Sequence, residues 1–155
     1  MERRAVPGSV LVHLGPAAAA ALVAANDLWI REHAPAWLGG KLSGLGIAFL
    51  LPVALTAAWE WISWLAARLE RRSWRPPGRP LHLAASATTV LYAGALELVP
   101  GFGAFHRAWL EALFPWLGFR AATPDPTDLA CLLAVPLAYV HLRRWGPDQG
   151  DASRA

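Results

Sequence analysis

The sequence has little of what a soluble domain presents to water. Charged residues make up 16% of its 155 positions, against roughly 25% in an average soluble domain. Cysteine occurs once, at Cys131, which excludes an intramolecular disulfide and a disulfide scaffold. In its apolar run Cys131 reads as a small hydrophobe. Lysine also occurs once, at Lys41, among 14 basic residues. There is no internal repeat. Gly39-Gly40-Lys41-Leu42-Ser43 is not a phosphate-binding loop, because Pro35 holds the first glycine's place and Leu42 follows the lysine. Neither a Gly-x-Ser-x-Gly elbow nor a His-Glu-x-x-His zinc motif occurs. His13, His82 and His141 are scattered, and no His, Cys and acid spacing resembles a metal site. Neither metal nor cofactor is expected.

What is present is apolar. Hydrophobic residues make up 55% and mean hydropathy is +0.33, which argues against a disordered chain or a coiled coil. Ala5 to Asn26, Leu42 to Trp59, Leu81 to Leu96 and Leu129 to Leu142 carry no formal charge. A bilayer core needs about 20 apolar residues in a helix, with a range of about 17–25. The first two runs meet this outright. The other two meet it if an acid sits at the interface. A soluble bundle would show polar stripes at helical period, and these runs show none. The reading is an all-α fold, a four-helix transmembrane bundle in one integral membrane domain, 1–155. Helices are predicted near 7–28, 43–65, 81–99 and 126–143.

Arginine placement is an independent guide, because cytoplasmic loops carry the Lys/Arg excess. Four spans put Arg3, Arg4, Arg68, Arg71, Arg72, Arg75, Arg79, Arg143, Arg144 and Arg154 on one side, and Arg31, Lys41, Arg107 and Arg120 on the other. Both termini are therefore expected in the cytoplasm, in a bacterial inner membrane. The Arg- and Ala-rich composition is that of a high-GC bacterial genome. This flanking placement also turns the net charge of +3 away from nucleic acid and toward the lipid bilayer. Tryptophan prefers the interface. Trp29, Trp37, Trp109 and Trp116 would line the outer face, and Trp59, Trp61, Trp64, Trp74 and Trp145 the inner one. The first run has a signal peptide's outline, but its apolar stretch exceeds the usual length of about 7–15 residues and Pro16 interrupts it. It is read as a retained helix. Between the last two spans, Phe105 to Leu117 mixes aromatics with His106, Arg107 and Glu111. That predicts an amphipathic helix, near 105–117, lying in the outer interface.

Ionisable groups at a membrane edge are the default functional candidates. By this topology Asn26 and Asp27 end the first helix outside, and Lys41 and Ser43 open the second. Glu97 lies in the last turn of the third, and Asp125 and Asp128 open the fourth. Every helix thus presents a polar group at the same face. Part of this set has an ordinary use. Asp125 is a good N-cap with Pro126 at N1 and Asp128 at N3, and Ser43 can cap the second helix. Asp27 and Glu97 are less ordinary, since an acid at a helix C-terminus opposes the dipole. A lone lysine supplies a compact donor where the chain elsewhere uses arginine. Glu60, among Trp59, Trp61 and Trp64 and near Arg68, reads as an inner-interface acid. His106 and Glu111 are five apart and do not share a helix face.

Asn26-Asp27, Gly40-Lys41-Leu42-Ser43 and Asp125-Pro126-Thr127-Asp128-Leu129 resemble the motifs of a family of small uncharacterised bacterial multi-pass membrane proteins. In that family the pattern runs Asn-Asp-His, Thr-Gly-Lys-Leu-Ser-Asp and Asp-Pro-Thr-Asp-Leu. The likeness spans most of the chain, which departs with Leu28, Gly39 and Gly44 for the His, Thr and Asp. Glu97, Pro100-Gly101, Asp125 and Asp128 are more loosely similar to VanZ-like proteins, without the usual Gln after the acid and Asn after the Asp. Lipoprotein signal peptidases share the size, the four spans and the outer acids, but their Asn-x-x-Asp-Arg motif is absent. These resemblances imply a membrane bundle and name no reaction. The function expected is a polar cluster at the outer helix ends that binds a lipid headgroup or a membrane-protein partner. The alternative is an enzyme acting on a lipid-linked or cell-envelope substrate at the outer leaflet, with two acids in acid/base roles.

Overall fold

The computed structural model describes residues 6–116 and 125–146, and these are all-helical. Arg3, Arg4, Arg120, Arg154 and residue 117 of the predicted interfacial helix lie outside the described residues. Helix α1, Leu14–Ala25, follows a short 3-10 turn at Ser9–Leu11. It continues through a π-helical turn, Asn26–Ile30, and one further turn, Arg31–His33. Helix α2 is Ala36–Leu69 and α3 is Arg79–Leu98. Helix α4 is Phe102–Leu113. Pro126–Leu133 form a 3-10 segment that runs into α5, Ala134–Trp145. Two helical stretches are long and apolar enough to cross a membrane, Trp37–Leu69 and Arg79–Leu98.

Helix α2 is the hub, and its glycines show why. Residues two apart on a helix point about 200° apart. A Cβ on Gly44 would lie 2.7 Å from Cys131 Sγ, and one on Gly46 would lie 2.5 Å from Val23 Cγ2 and 3.1 Å from the Ala19 carbonyl. Bare backbone therefore lets α2 pack closely on α1 on one side and on the 3-10 segment on the other. Further along, Val53 and Ala57 of α2 bury against Val10, Ala138 and Leu142, with Phe49 packed beside them.

The helices alternate in direction. Gly8 meets Glu60, and Val10 meets His141, so the chain's start lies beside the later half of α2 and the end of α5. His82, in the first turn of α3, lies against Gly146 at that same end. Arg68, Arg71, Arg72, Arg75, Arg79, Arg143 and Arg144 therefore gather at one end. Arg31, Lys41 and Arg107 belong to the other. The linker to α3 is held on α2 by a Trp74 Nε1 hydrogen bond to Ser63 Oγ of 3.0 Å. The bundle's exterior is apolar: Leu14, Leu28, Ile62, Leu91, Leu133 and Leu137 are all exposed.

Several boundaries differ from expectation. Helix α2 begins at Ala36 after Pro35, not near residue 43, so Ser43 does not cap it but lies inside it. Two glycines and a lysine read as a helix start, yet Asn26 accounts for the helical path by taking the Gly39 carbonyl. The fourth segment starts at Pro126 as predicted, but its first eight residues are 3-10 rather than α. The amphipathic helix is Phe102–Leu113, opened by Gly101 in a left-handed conformation (φ 83°) that a side chain would strain.

Candidate functional site

The predicted polar residues occupy one end of the bundle and form two networks, one on each side of α2. The first joins α1 to α2. The wider π-helical turn decreases the angular step between residues, so Asn26 and Asp27 both reach Ser43. Asn26 Nδ2 donates to Ser43 Oγ at 2.6 Å and to the Gly39 carbonyl at 2.8 Å. Ser43 Oγ donates to Asp27 Oδ1 at 3.0 Å. Asp27 also faces Arg31 one turn on, at 3.7 Å. Asn26 is fully buried, and its Oδ1 has no partner. A π turn at a polar junction is a recurrent mark of functional helices, and the sequence carried no periodicity signal for it.

The second network joins α2, α3 and the 3-10 segment. Lys41 Nζ donates to Asp128 Oδ1 at 2.9 Å and to Thr127 Oγ1 at 2.6 Å. Thr127 donates from both its backbone amide and its hydroxyl to Asp125 Oδ1, at 2.9 and 2.7 Å. These two bonds hold the Asp125 carboxyl below its ordinary pKa. Asp125 is the N-cap, and Pro126 follows at the first helical position. Glu97 Oε2 accepts the Asp125 backbone amide at 2.6 Å, tying the end of α3 to the start of the fourth segment. Both networks use α2 but from opposite sides, since Lys41 and Ser43 are two residues apart on the helix. Sequence reasoning left out Thr127 as a partner of the lysine. Its signal was the Asp-x-Thr spacing of a hydroxyl beside a cap.

Among the described residues this end holds six carboxylates, Asp27, Glu32, Glu97, Glu111, Asp125 and Asp128, against three cations, Arg31, Lys41 and Arg107. Of the three positions that depart from the resembled family's pattern, Leu28 is exposed and Gly39 supplies a carbonyl to Asn26. Gly44 packs on Cys131, where any side chain would collide with Sγ.

Glu60, read as an inner-interface acid, is fully buried within the bundle, and its Oε2 accepts the Gly8 backbone amide at 2.7 Å. Its Oε1 and the Thr56 hydroxyl one turn earlier are buried without partners. The scattered histidines are also drawn together. His13 stacks on Trp145 at 4.5 Å and lies 5.8 Å from His141, whose Nε2 is 3.1 Å from the Val10 carbonyl. His82 is buried, and with Ser86 and Thr89 it makes a buried polar row on α3 at helical spacing. His106 and Glu111 do diverge: His106 bonds to Tyr92 on α3, and Glu111 takes Arg107 Nε at 2.7 Å. Among the described residues no three His, Cys, Asp or Glu side chains are grouped to hold a metal ion. No protein-family model, curated protein or solved structure matches the chain.

Proposed function

We propose that the chain is a small multi-pass membrane protein of the bacterial inner membrane, crossing the bilayer four times with both termini cytoplasmic. Its outer polar knot closes the bundle and engages a lipid headgroup or the loop of a membrane partner. The observation that carries the reading is the knot itself. Polar groups from α1, α2, α3 and the 3-10 segment are hydrogen-bonded at one end of a bundle whose exterior is otherwise apolar.

Dimensions support it. Lys41 in the knot and the buried Glu60 are separated along α2 by about 28 Å at 1.5 Å per residue, close to the roughly 30 Å of a hydrocarbon core. The last segment looks short for a span, but 3-10 geometry lengthens it. Eight residues at about 2.0 Å plus twelve at 1.5 Å give about 34 Å. The arginine-rich end fits the cytoplasmic side. At the other end the excess of carboxylates favours a cationic partner group, such as the ammonium of an ethanolamine headgroup or a basic loop. The residues that carry the family resemblance, Asn26, Asp27, Lys41, Ser43, Asp125, Thr127 and Asp128, are the ones that make the knot.

Cysteine labelling in intact cells tests the topology. In a Cys131→Ala background, Arg107→Cys is expected to react with an impermeant maleimide, and Arg75→Cys only after lysis. Labelling of Arg75→Cys from outside overturns the orientation. For the knot, Asp128→Asn is expected to weaken ethanolamine-lipid retention or capture of a basic partner loop while the protein still folds. Unchanged binding by a folded Asp128→Asn protein refutes a binding role.

A further inference from the structure

The opposite end of the bundle carries a groove on the exposed side of α5. Ala134, Val135, Ala138 and Leu142 turn inward and are buried. The opposite face is open. Leu133, Leu137 and Val140 are 74%, 63% and 60% exposed. With Arg144 they fall at steps of four, three and four residues, one continuous stripe along a helix. The stripe ends at a shallow groove of about 260 Å³ lined by Tyr139, Val140, Arg143 and Arg144. Neither arginine has a carboxylate partner among the described residues. Arg144 instead lies over the Trp145 ring, 5.5 Å from its centroid, which seats the guanidinium beside an interface-seeking aromatic. A favourable helix dipole accounts for cations in the last turn. It does not account for a groove between them that opens onto an exposed apolar track.

We infer that this groove binds one anionic phospholipid from the leaflet at the C-terminal end of α5. The phosphate sits between the Arg143 and Arg144 guanidiniums with the Tyr139 hydroxyl beside it, and an acyl chain lies along Val140, Leu137 and Leu133. Charge selects the ligand: two guanidiniums with no carboxylate partner among the described residues match a phosphate diester, and the apolar stripe matches a chain attached to it. The site is distinct from the outer knot, whose excess charge is negative. The inference rests on the membrane reading above.

The test uses the full chain purified in mild detergent, with phosphatidylglycerol and phosphatidylcholine of identical chains as probes. Retained lipid is counted by native mass spectrometry. Phosphatidylglycerol is expected to be retained one per chain and phosphatidylcholine not. Each of Arg143→Gln and Arg144→Gln is expected to weaken retention about fivefold, and the pair about thirtyfold. Arg71→Gln/Arg72→Gln, on the linker, should leave it unchanged. Both arginines are on the surface, and the single variants serve if the double variant does not fold. Equal retention by the folded Arg143 and Arg144 variants overturns the site. Equal competition by chain-free glycerol phosphate overturns the lipid assignment. Failure of the membrane reading is separate, since it shows in the labelling pattern of Arg75→Cys and Arg107→Cys.

Discussion

Asn26 is the residue whose removal most directly tests the knot. It is fully buried, and its Nδ2 supplies the donor for both the Gly39 carbonyl and Ser43 Oγ. The 3.4 Å approach to Asp27 adds little. Asn26→Ala removes two buried hydrogen bonds, each worth about 0.5–1.5 kcal/mol in a soluble protein and about 0.6 kcal/mol on average between membrane helices. The emptied space adds on the order of 1 kcal/mol. Against this, the variant also removes Asn26 Oδ1, a buried acceptor with no partner, and regains about 1 kcal/mol of desolvation. The net expectation is a loss of about 2 kcal/mol, with Asn26→Leu milder because it refills the space. The assay is unfolding in mixed dodecylmaltoside and dodecyl sulfate micelles, followed by tryptophan fluorescence. Ser43→Ala alone and combined with Asn26→Ala completes a double-mutant cycle. Direct contact predicts a coupling of about 1 kcal/mol. Additivity within about 0.3–0.5 kcal/mol, or an Asn26→Ala loss below that size, refutes the knot as a stabilising junction.

Other expectations follow from single contacts. Gly46→Ala pushes a methyl into Val23 and the Ala19 carbonyl and should cost about 1–3 kcal/mol. Gly40→Ala, with no atom within 4 Å, should be neutral or stabilise by up to about 1 kcal/mol through helix propensity; the same micelle unfolding ranks the two. Glu60→Gln keeps an oxygen for the Gly8 amide and should be tolerated, whereas Glu60→Leu strands that amide at about 1–3 kcal/mol and should expose the N-terminal segment to limited proteolysis. Burial holds the His106 imidazole below its ordinary pKa. The unfolded chain therefore binds more protons, and this contribution to stability is complete above about pH 6.5 and falls away as pH drops toward the folded value. His106→Gln should flatten that part of the pH profile. The Asp125 carboxyl is depressed, so its contribution is present at neutral pH and disappears as pH falls through its folded value, a loss that Asp125→Asn should abolish.

The polar end was legible because its residues announce themselves through local chemistry. Asp125-Pro126 is a helix start on any reading, and Asp27, Lys41 and Glu97 are ionisable groups beside apolar runs. What the sequence hid depended on tertiary partners. The start of α2 was misplaced because Gly39-Gly40 is a poor helical pair, and its carbonyl partner, Asn26, lies 13 residues away. The π-helical turn has no compositional signature. Glu60 was read as an interfacial acid because neighbouring tryptophans and Arg68 describe an interface, and its burial in the bundle was not foreseen. Its burial depends on Gly8, whose amide reaches it from 52 residues away. His82, Ser86 and Thr89 do fall at helical spacing. Small hydroxyl residues pass for apolar ones in a run without charge, so the polar row went unseen.

The geometry also weighs between a knot and an enzyme. General acid/base work needs a carboxyl free to exchange its proton with a substrate at hydrogen-bond distance. Here Asp27 is taken by Ser43 and Arg31, Asp125 by Thr127, Asp128 by Lys41, and Glu97 by a backbone amide. A catalytic Lys41 would have to surrender Asp128 and Thr127 to hold an anionic substrate, at an end where carboxylates outnumber cations. Apart from the Asp27–Arg31 pair within the first helix, each bond joins two different segments or fixes a helix start, as a closure requires. Lys41→Arg separates the two roles. The planar guanidinium cannot reproduce a compact ammonium between a hydroxyl and a carboxylate, so a closure should loosen measurably in the micelle assay. An anion-binding site would keep its ligand and its stability alike, and that outcome would return the enzyme reading to first place.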